Sequence, residues 1–272
     1  MSWARCLVLL CLNWTILAQS PISRPVKIGL FDTGCRRSKH LKPVGIHRLA
    51  SVEPAILIHP HGTWNLAMLI STHPLCPGLS PAAEVHCFEI LDSKMRIIPH
   101  SMERSVSKAL ELQLDIVNFS VGWYKLKEED EIRRQIQRLL DRGVVVVASA
   151  GHNGLLGPRD VLDDPAEVPG VVSVGAMDDR GVECPWSART HDGRPDFLAK
   201  GANITLLGLL GDHCEAHHKG TSHSAVFVTA MLANQFPSRA SDVDISLAKG
   251  LVRRRRLRSA LAPTEEAAKD EL

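Results

Sequence analysis

Three short motifs, each with one reactive side chain, occur in a fixed order along this chain. They are Asp32-Thr33-Gly34, His61-Gly62-Thr63 and Gly220-Thr221-Ser222. A serine hydroxyl attacks a carbonyl well only when a neighbouring base takes its proton, and imidazole has the near-neutral pKa for that task. A carboxylate that orients the imidazole completes the set. The motifs therefore predict acyl transfer, with Ser222 as nucleophile, His61 as base and Asp32 as the orienting acid.

Each motif also has an ordinary structural explanation when it is taken alone. Asp32 could form an Asx turn, His61 could be a surface or capping histidine, and Ser222 could cap a helix. The joint order of acid, base and hydroxyl favours catalysis over three unrelated turns. A lipase or esterase built on the same chemistry is disfavoured, because its Gly-x-Ser-x-Gly elbow precedes the acid and the base.

The motifs fall where a parallel sheet gathers working side chains, at the carboxyl ends of strands and the amino ends of helices. Asp32 ends a strand predicted over residues 26–31, and Ser222 opens a helix predicted near residues 225–232. His61 precedes a helix that starts near Gly62, after a strand predicted over residues 55–58. Groups distant in the sequence therefore have a physical reason to meet.

Apolar strand-like runs alternate with helical patterns along the chain, which predicts βαβ units. Further strands are expected over residues 84–90, 116–120, 144–148 and 171–174. Ser101 is the candidate N-cap of one intervening helix, and Gly143 ends another whose first turn is acidic. We expect an α/β fold: a doubly wound, mostly parallel sheet with helices on both faces, a three-layer sandwich. One catalytic domain is placed at residues 24–240, followed by a basic, then acidic tail at 241–268.

Both ends of the chain resemble targeting signals. Arg5 and the apolar run up to Leu17, with Ala18 at the cleavage point, predict a signal peptide over residues 1–18; a buried first helix is the alternative. The C-terminal Lys269-Asp270-Glu271-Leu272 matches an address read by the ER-retention receptor. No later run reaches the roughly 18–20 apolar residues of a membrane span, so no transmembrane anchor is expected. These features predict the lumen of the endoplasmic reticulum.

The charge, the cysteines and the glycosylation sequons limit which partners, disulfides and modifications are expected. The net charge of +2 predicts no nucleic-acid or membrane partner. Five cysteines remain after the signal, so at least one thiol is free and at most two disulfides form; they are Cys35, Cys76, Cys87, Cys184 and Cys214. Of the two glycosylation sequons, Asn118 lies in an apolar strand, so only Asn203 is expected to be accessible in a glycoprotein.

No cofactor is expected from the sequence. His213, Cys214, His217 and His218 look like metal ligands, but the preferred interpretation is a loop leading to Ser222. Asp163-Asp164 offers carboxylates for calcium, yet no loop of fixed ligand spacing supports a calcium site.

The chain resembles the subtilisin-like (S8) serine peptidases over residues 26–235, and among them the branch of membrane-bound transcription factor site-one proteases. The segments that carry the resemblance are residues 31–34, 61–63, 76–86, 115–122, 149–154 and 220–222. The resemblance implies a serine endopeptidase that acts on proteins of the secretory pathway through an acyl-enzyme. It also implies that a peptide substrate docks as an added strand along Ser120-Val121-Gly122.

Several residues depart from the family pattern. His152 stands where the family has the asparagine that donates to the oxyanion, and the loss of that donor costs about 10²–10³-fold in kcat. Either a ring N–H of His152 or the neighbouring Asn153, presented by a bulge, is the expected replacement, with reduced activity. Trp64-Asn65 and His223 also differ from the pattern. The alternative is a pseudoprotease that serves as a binding or folding partner in the ER lumen.

The basic run over residues 253–257 has two interpretations. In the first, it is a solvated linker. In the second, it is a point of self-cleavage, because Arg254-x-x-Leu257 resembles the sites preferred by the site-one branch.

Overall fold

A computed structural model describes residues 24–42, 44–48, 59–92, 94–123, 129–157, 161–193 and 195–235. The predicted signal peptide, the strand predicted over residues 55–58, the tail, its self-cleavage point and the ER-retention signal lie outside the described residues. Within the described ranges, no helix has the length and apolar character needed to cross a membrane.

In the described part of the chain, seven strands form one sheet in which every pairing is parallel. The spatial order is β2-β3-β1-β4-β5-β6-β7. Two further strands, β8 and β9, form a separate antiparallel pair. The bounds are β1 Lys27–Asp32, β2 Gly45–His47, β3 Glu84–Glu89, β4 Ile116–Phe119, β5 Val145–Ser149, β6 Val172–Met177, β7 Phe197–Lys200, β8 Ile204–Leu207 and β9 Cys214–His218.

The helices lie on both faces of the sheet and enclose two cores. They are α1 His61–Ile70, α2 Pro99–Glu111, α3 Glu129–Asp141 and α4 Thr221–Gln235, with a short 3₁₀ turn at Gly154–Leu156. Leu30 of β1 packs in the core that holds α1 and α4, whereas the next residue, Phe31, packs in the core that holds α2 and α3. This division follows from the alternation of side chains along a strand. The predicted α/β sandwich, with helices on both faces of a parallel sheet, is confirmed.

Two local predictions are wrong. Ser101 does not cap its helix: α2 begins at Pro99 after Ile98, and the Ser101 hydroxyl donates to the Glu89 carbonyl instead. Proline suits the first helical position because its fixed φ fits the helix and its missing N–H needs no partner there. The segment around Cys214 is not a loop, because β9 pairs with β8 immediately before the residues that lead to Ser222.

Two disulfides join segments that are distant in the sequence. Cys35 is bonded to Cys87 in β3, and Cys76, which follows α1, is bonded to Cys214 in β9. Cys184 is a buried free thiol. This arrangement satisfies the expected limits of two bridges and at least one free cysteine. Asn118 is fully buried and Asn203 is exposed, in agreement with the expected accessibilities.

Candidate functional site

The acid and the base are the terminal residues of two neighbouring elements. Asp32 ends β1 and His61 begins α1, and His61 Nδ1 lies 2.7 Å from Asp32 Oδ1. Gly62 permits this approach, since a Cβ there would lie 2.2 Å from the Gly34 carbonyl oxygen. The Thr33 hydroxyl accepts a hydrogen bond from the Gly62 N–H at 3.0 Å and so fixes the start of α1 against the end of β1.

The two groups shift each other's pKa in opposite directions. Burial favours the neutral form of Asp32, but the charge of His61 and hydrogen bonds from His61, Thr33 and Asn65 outweigh it and lower the pKa of Asp32. Burial also opposes protonation of His61, yet the charge of Asp32 and the hydrogen bond to it raise the pKa of His61 above 6.5. The pair is thus an ionised carboxylate that holds an imidazole of increased basicity.

Ser222 lies in the first turn of α4, where the helix packs against the end of β4. Its hydroxyl donates to the Ser120 carbonyl at 2.9 Å, and the Ser120 hydroxyl donates to the Ser222 carbonyl at 2.9 Å. Among the described residues, the acceptor of the Ser222 hydroxyl is therefore Ser120 and not His61. The next residue, His223, has its ring 6.5 Å from the His61 ring, which places the first turn of α4 beside the base.

His152 follows β5 and faces the start of α4. Its Nε2 accepts the Thr221 N–H at 2.9 Å, so the ring proton of the neutral form lies on Nδ1. Desolvation of the ring and then the nearby His61 lower the pKa of His152, which keeps it neutral. Nδ1–H is accordingly the one ring N–H that His152 can offer to another group.

The side-chain amide of Asn153 is hydrogen-bonded to another residue. Its Nδ2 donates to the carboxylate of Asp163 at 3.3 and 3.4 Å. The backbone N–H of Ser222 has no acceptor among the described residues. The Ser222 N–H and the His152 Nδ1–H thus have no acceptor among the described residues, whereas the Asn153 amide is hydrogen-bonded.

The three residues predicted to line the substrate follow β4. The Ser120 carbonyl accepts from Ser222, and the Val121 carbonyl accepts from the Ser149 hydroxyl at 3.3 Å. Gly122 is exposed and makes no hydrogen bond with the described residues. Trp123 then pairs with Asp164 through two backbone hydrogen bonds of 3.0 and 2.9 Å. Within this segment, the backbone of Gly122 is therefore available for hydrogen bonds, whereas the neighbouring Val121 and Trp123 already make them.

Two residues that the sequence did not place in the site are linked to its acid, Asn65 directly and His223 through Asn65. Asn65 is fully buried, and its Nδ2 donates to Asp32 Oδ2 at 2.9 Å. Its Oδ1 lies 3.1 Å from Nδ1 of His223, which is buried in α4. The sequence signal that could have identified Asn65 and His223 is that both are polar residues at positions that depart from the family pattern.

A third group resembles a metal site. His73 Nδ1 lies 3.5 Å from the Cys76 sulfur and 3.3 Å from the Cys214 sulfur. Because the two sulfurs are bonded to each other, neither is the thiolate that a metal would need. The histidines near Cys214 have other partners: His213 bonds Asp212, His217 bonds Asn203 and His218 bonds Glu215. Asp164, considered for calcium, is bonded to Arg133.

The molecule is an α/β sandwich in which an Asp–His pair joins the end of β1 to the start of α1. A model of the subtilase family (Peptidase_S8) matches residues 23–261, and the chain therefore belongs to the subtilase family. Membership in this family confirms the resemblance inferred from the motifs and makes the chain a relative of serine peptidases.

Individual relatives agree with this assignment. Subtilisin DY of Bacillus licheniformis is 28% identical over 197 residues, which are 71% of this chain and 67% of that protein. Human membrane-bound transcription factor site-1 protease is 25% identical over 199 residues, which are 68% of this chain and 18% of that protein. The chain thus spans about two thirds of the first relative and less than a fifth of the second.

Solved structures show the same fold. The patellamide maturation protease PatA superimposes with a TM-score of 0.64 at 23% identity, over 78% of this chain and 78% of that one. The prenylagaramide maturation protease PagA gives a TM-score of 0.63 at 23% identity, over 76% of this chain and 74% of that one. At these identities the likeness concerns the architecture alone.

Proposed function

We propose that this protein is a serine endopeptidase that hydrolyses peptide bonds through an acyl-enzyme, with Ser222, His61 and Asp32 as its catalytic residues. The observation that carries the proposal is the 2.7 Å contact between His61 Nδ1 and Oδ1 of the buried Asp32, beside the first turn of α4. Family membership supports the reaction class, and this contact supports Asp32 and His61 as the acid and the base. It also fixes the tautomer, since Nδ1 carries the proton toward Asp32 and leaves Nε2 to act as base.

In the proposed reaction, the Ser222 hydroxyl leaves the Ser120 carbonyl and turns toward His61. Nε2 of His61 accepts the proton as Oγ attacks the carbonyl carbon of the substrate. The tetrahedral intermediate collapses when the imidazolium gives that proton to the departing amine, and an acyl-Ser222 ester remains. Water, deprotonated by the same imidazole, attacks the ester and frees the enzyme. Asp32 stabilises the imidazolium in both halves of the reaction.

The pH dependence should follow His61. Its neutral form is the base, so kcat/KM should fall as pH decreases through the pKa of His61, which Asp32 raises above 6.5. Burial opposes the charge of His61 and Asp32 favours it, whereas His61 itself lowers the pKa of His59, His152 and His223. A pH profile of peptide hydrolysis should reach half its plateau above pH 6.5. A midpoint clearly below that value would contradict the assigned base.

Two N–H groups are the proposed oxyanion donors, the backbone of Ser222 and Nδ1 of His152. The first lies in the opening turn of α4, where the helix dipole also favours negative charge. Replacing His152 with alanine should then lower kcat by about 10²-fold with a smaller change in KM. Asn153→Ala is the matched control, because that amide bonds Asp163 and its loss should leave kcat within a few-fold.

The variant His152→Asn adds a second comparison, since it restores the donor usual in the family. The steady-state kcat of wild type, His152→Ala, His152→Asn and Asn153→Ala tests whether His152 donates to the oxyanion. Equal rates for wild type, His152→Ala and His152→Asn would remove His152 from the mechanism.

The substrate is proposed to be a protein or peptide that adds a strand along Ser120-Val121-Gly122. The open N–H and C=O of Gly122 support this placement, because an added strand is held by such main-chain groups. The predicted signal peptide and Lys269-Asp270-Glu271-Leu272 support a location in the ER lumen. Imaging of the full chain, with and without its last four residues, tests the location, since loss of retention is expected only without them.

A catalytically impaired pseudoprotease is the second candidate. It is favoured by one observation, the bond from the Ser222 hydroxyl to the Ser120 carbonyl instead of to His61. In that case the fold would serve as a binding or folding partner for other secretory proteins.

A fluorophosphonate probe separates the two candidates, because only an activated serine reacts quickly with it. The purified full chain is treated with the probe, digested with a second protease and searched by mass spectrometry for the adduct. In parallel, a library of quenched fluorescent peptides is screened for hydrolysis. The endopeptidase is supported by an adduct on Ser222 together with cleavage of internal peptide bonds. The absence of both the Ser222 adduct and peptide cleavage would support the pseudoprotease.

A further inference from the structure

Two residues that depart from the family pattern lie on different helices and meet beneath the catalytic pair. Asn65 is on α1, four residues after His61, and His223 is on α4, next to Ser222. The Nδ1 atom of His223 lies 3.1 Å from Oδ1 of Asn65, and both side chains are buried. A buried polar side chain is costly unless its hydrogen bonds are satisfied, so each of these residues needs the other.

The direction of every hydrogen bond in this group follows from Asp32. The carboxylate is ionised and can only accept, so the NH₂ group of Asn65 must face its Oδ2. The Asn65 oxygen then faces His223 and requires a donor, which fixes the His223 proton on Nδ1. Burial, followed by the nearby His61 and His218, lowers the pKa of His223 to about 3, so the ring is a neutral donor.

We propose that Asn65 and His223 act together as positioning residues that hold the Asp32 carboxylate in the orientation needed by His61. His223 fixes the Asn65 amide, and the amide in turn holds Oδ2, which leaves Oδ1 directed at His61 Nδ1. Without the His223 donor, the amide is free to turn and present its oxygen to a carboxylate oxygen, which is repulsive. The consequence for catalysis rests on the proposed peptidase function; the consequence for His61 does not.

The pair also adjusts the charge that His61 experiences. An N–H dipole directed at Asp32 offsets part of the negative charge that stabilises the imidazolium. Removing that dipole makes protonation of His61 easier and raises its pKa. The titratable groups that face His61 are Asp32 of β1, His59 before α1, His152 after β5 and His223 of α4, while His218 of β9 faces His223. Because His223 is neutral, its replacement removes no charge from this set.

The test compares Asn65→Leu, His223→Leu and the double variant in the full chain. Each single variant should lower kcat/KM about tenfold, as for the loss of one hydrogen bond to a charged group. The acid limb of the pH profile should move upward by about half a pH unit. The double variant should be no worse than the more damaged single one, because both act through one hydrogen-bond chain. His223→Gln, whose amide keeps an N–H donor, should recover part of the rate.

A second measurement does not depend on turnover. In a Ser222→Ala background, the pKa of His61 is read from the NMR titration of its labelled ring, with and without Asn65→Leu. An upward shift supports the proposal even if the protein hydrolyses no peptide, in which case only the proposed function fails. Ser80→Ala is the control. It removes a hydrogen bond of 2.8 Å from Ser80 to Asn234, which lies on α4 like His223, and neither residue contacts Asp32. An unchanged pKa of His61, or an equal shift in Ser80→Ala, overturns the proposal.

Discussion

Replacing Ser222 with alanine should reduce kcat for peptide hydrolysis by about 10⁶-fold. The hydroxyl belongs to the only side chain in the proposed mechanism that forms a covalent bond to the substrate, so no neighbouring side chain can replace it. Labelling by the fluorophosphonate probe should disappear in the same variant. A residual rate above water is still expected, because the oxyanion donors and the docked strand do not need the hydroxyl. Single-turnover hydrolysis of the best library peptide measures the loss.

Ser224→Ala is the matched control for this loss. Ser224 lies two residues further along α4, is fully buried and donates its hydroxyl to the Ala199 carbonyl at 3.1 Å. Removing that bond should cost about 1 kcal/mol of folding free energy and leave kcat nearly unchanged. Ser222→Ala also loses a hydrogen bond, the one to Ser120, so the thermal unfolding of both variants is compared. Equal loss of activity in the two variants would assign the effect to folding and would count against Ser222 as nucleophile.

The elements predicted from sequence were those whose own residues determine them. β1, β4 and β5 are apolar runs that end in a polar residue or a turn, and they pair as the buried strands of a parallel sheet. The acidic first turn and apolar stripe of α3 likewise match the observed Glu129–Asp141. In such segments a local pattern and the tertiary environment agree, so the sequence suffices.

The elements that were not predicted depend on distant partners. β2 has three residues, all of them half-buried, and gives no periodic signal. β9 contains Cys214, Glu215 and two histidines, a composition typical of a loop. It is a strand because β8 supplies hydrogen bonds and because Cys76, 138 residues earlier, anchors its first residue. Neither partner is visible in a local window of sequence.

The candidate site divides in the same way. The contact between Asp32 and His61 follows from their places at the end of a strand and the start of a helix. The acceptor chosen by the Ser222 hydroxyl depends on a side-chain rotation, and the tautomer of His152 depends on the Thr221 N–H. The bond between Asn65 and His223 joins residues 158 positions apart. Sequence can show that such residues are polar, but their directions are set by packing between helices.

The variant Asp32→Asn should lower kcat by about 10⁴-fold. Three donors converge on the carboxylate: the Thr33 N–H at 2.7 Å, the His61 ring at 2.7 Å and the Asn65 amide at 2.9 Å. An amide at position 32 has one oxygen, so its NH₂ group must face at least one of these donors. If this NH₂ group faces His61, Nδ1 of His61 becomes the acceptor and the ring proton moves to Nε2. Nε2 can then no longer accept the proton of Ser222. The loss of the negative charge also lowers the pKa of His61, so the acid limb of the pH profile should move downward.

The control for this variant is the same substitution at Asp115. That carboxylate is also buried, but it accepts from Arg24 and from the Lys27 N–H at the opposite end of β1. Asp115→Asn should reduce thermal stability and leave kcat and the pH profile unchanged. Because Asn65 can turn its oxygen toward an NH₂ group at position 32, the loss in Asp32→Asn should also depend on His223, whose donor opposes that turn. An Asp32→Asn protein that folds and keeps the wild-type rate and pH midpoint would show that this carboxylate does not orient the base.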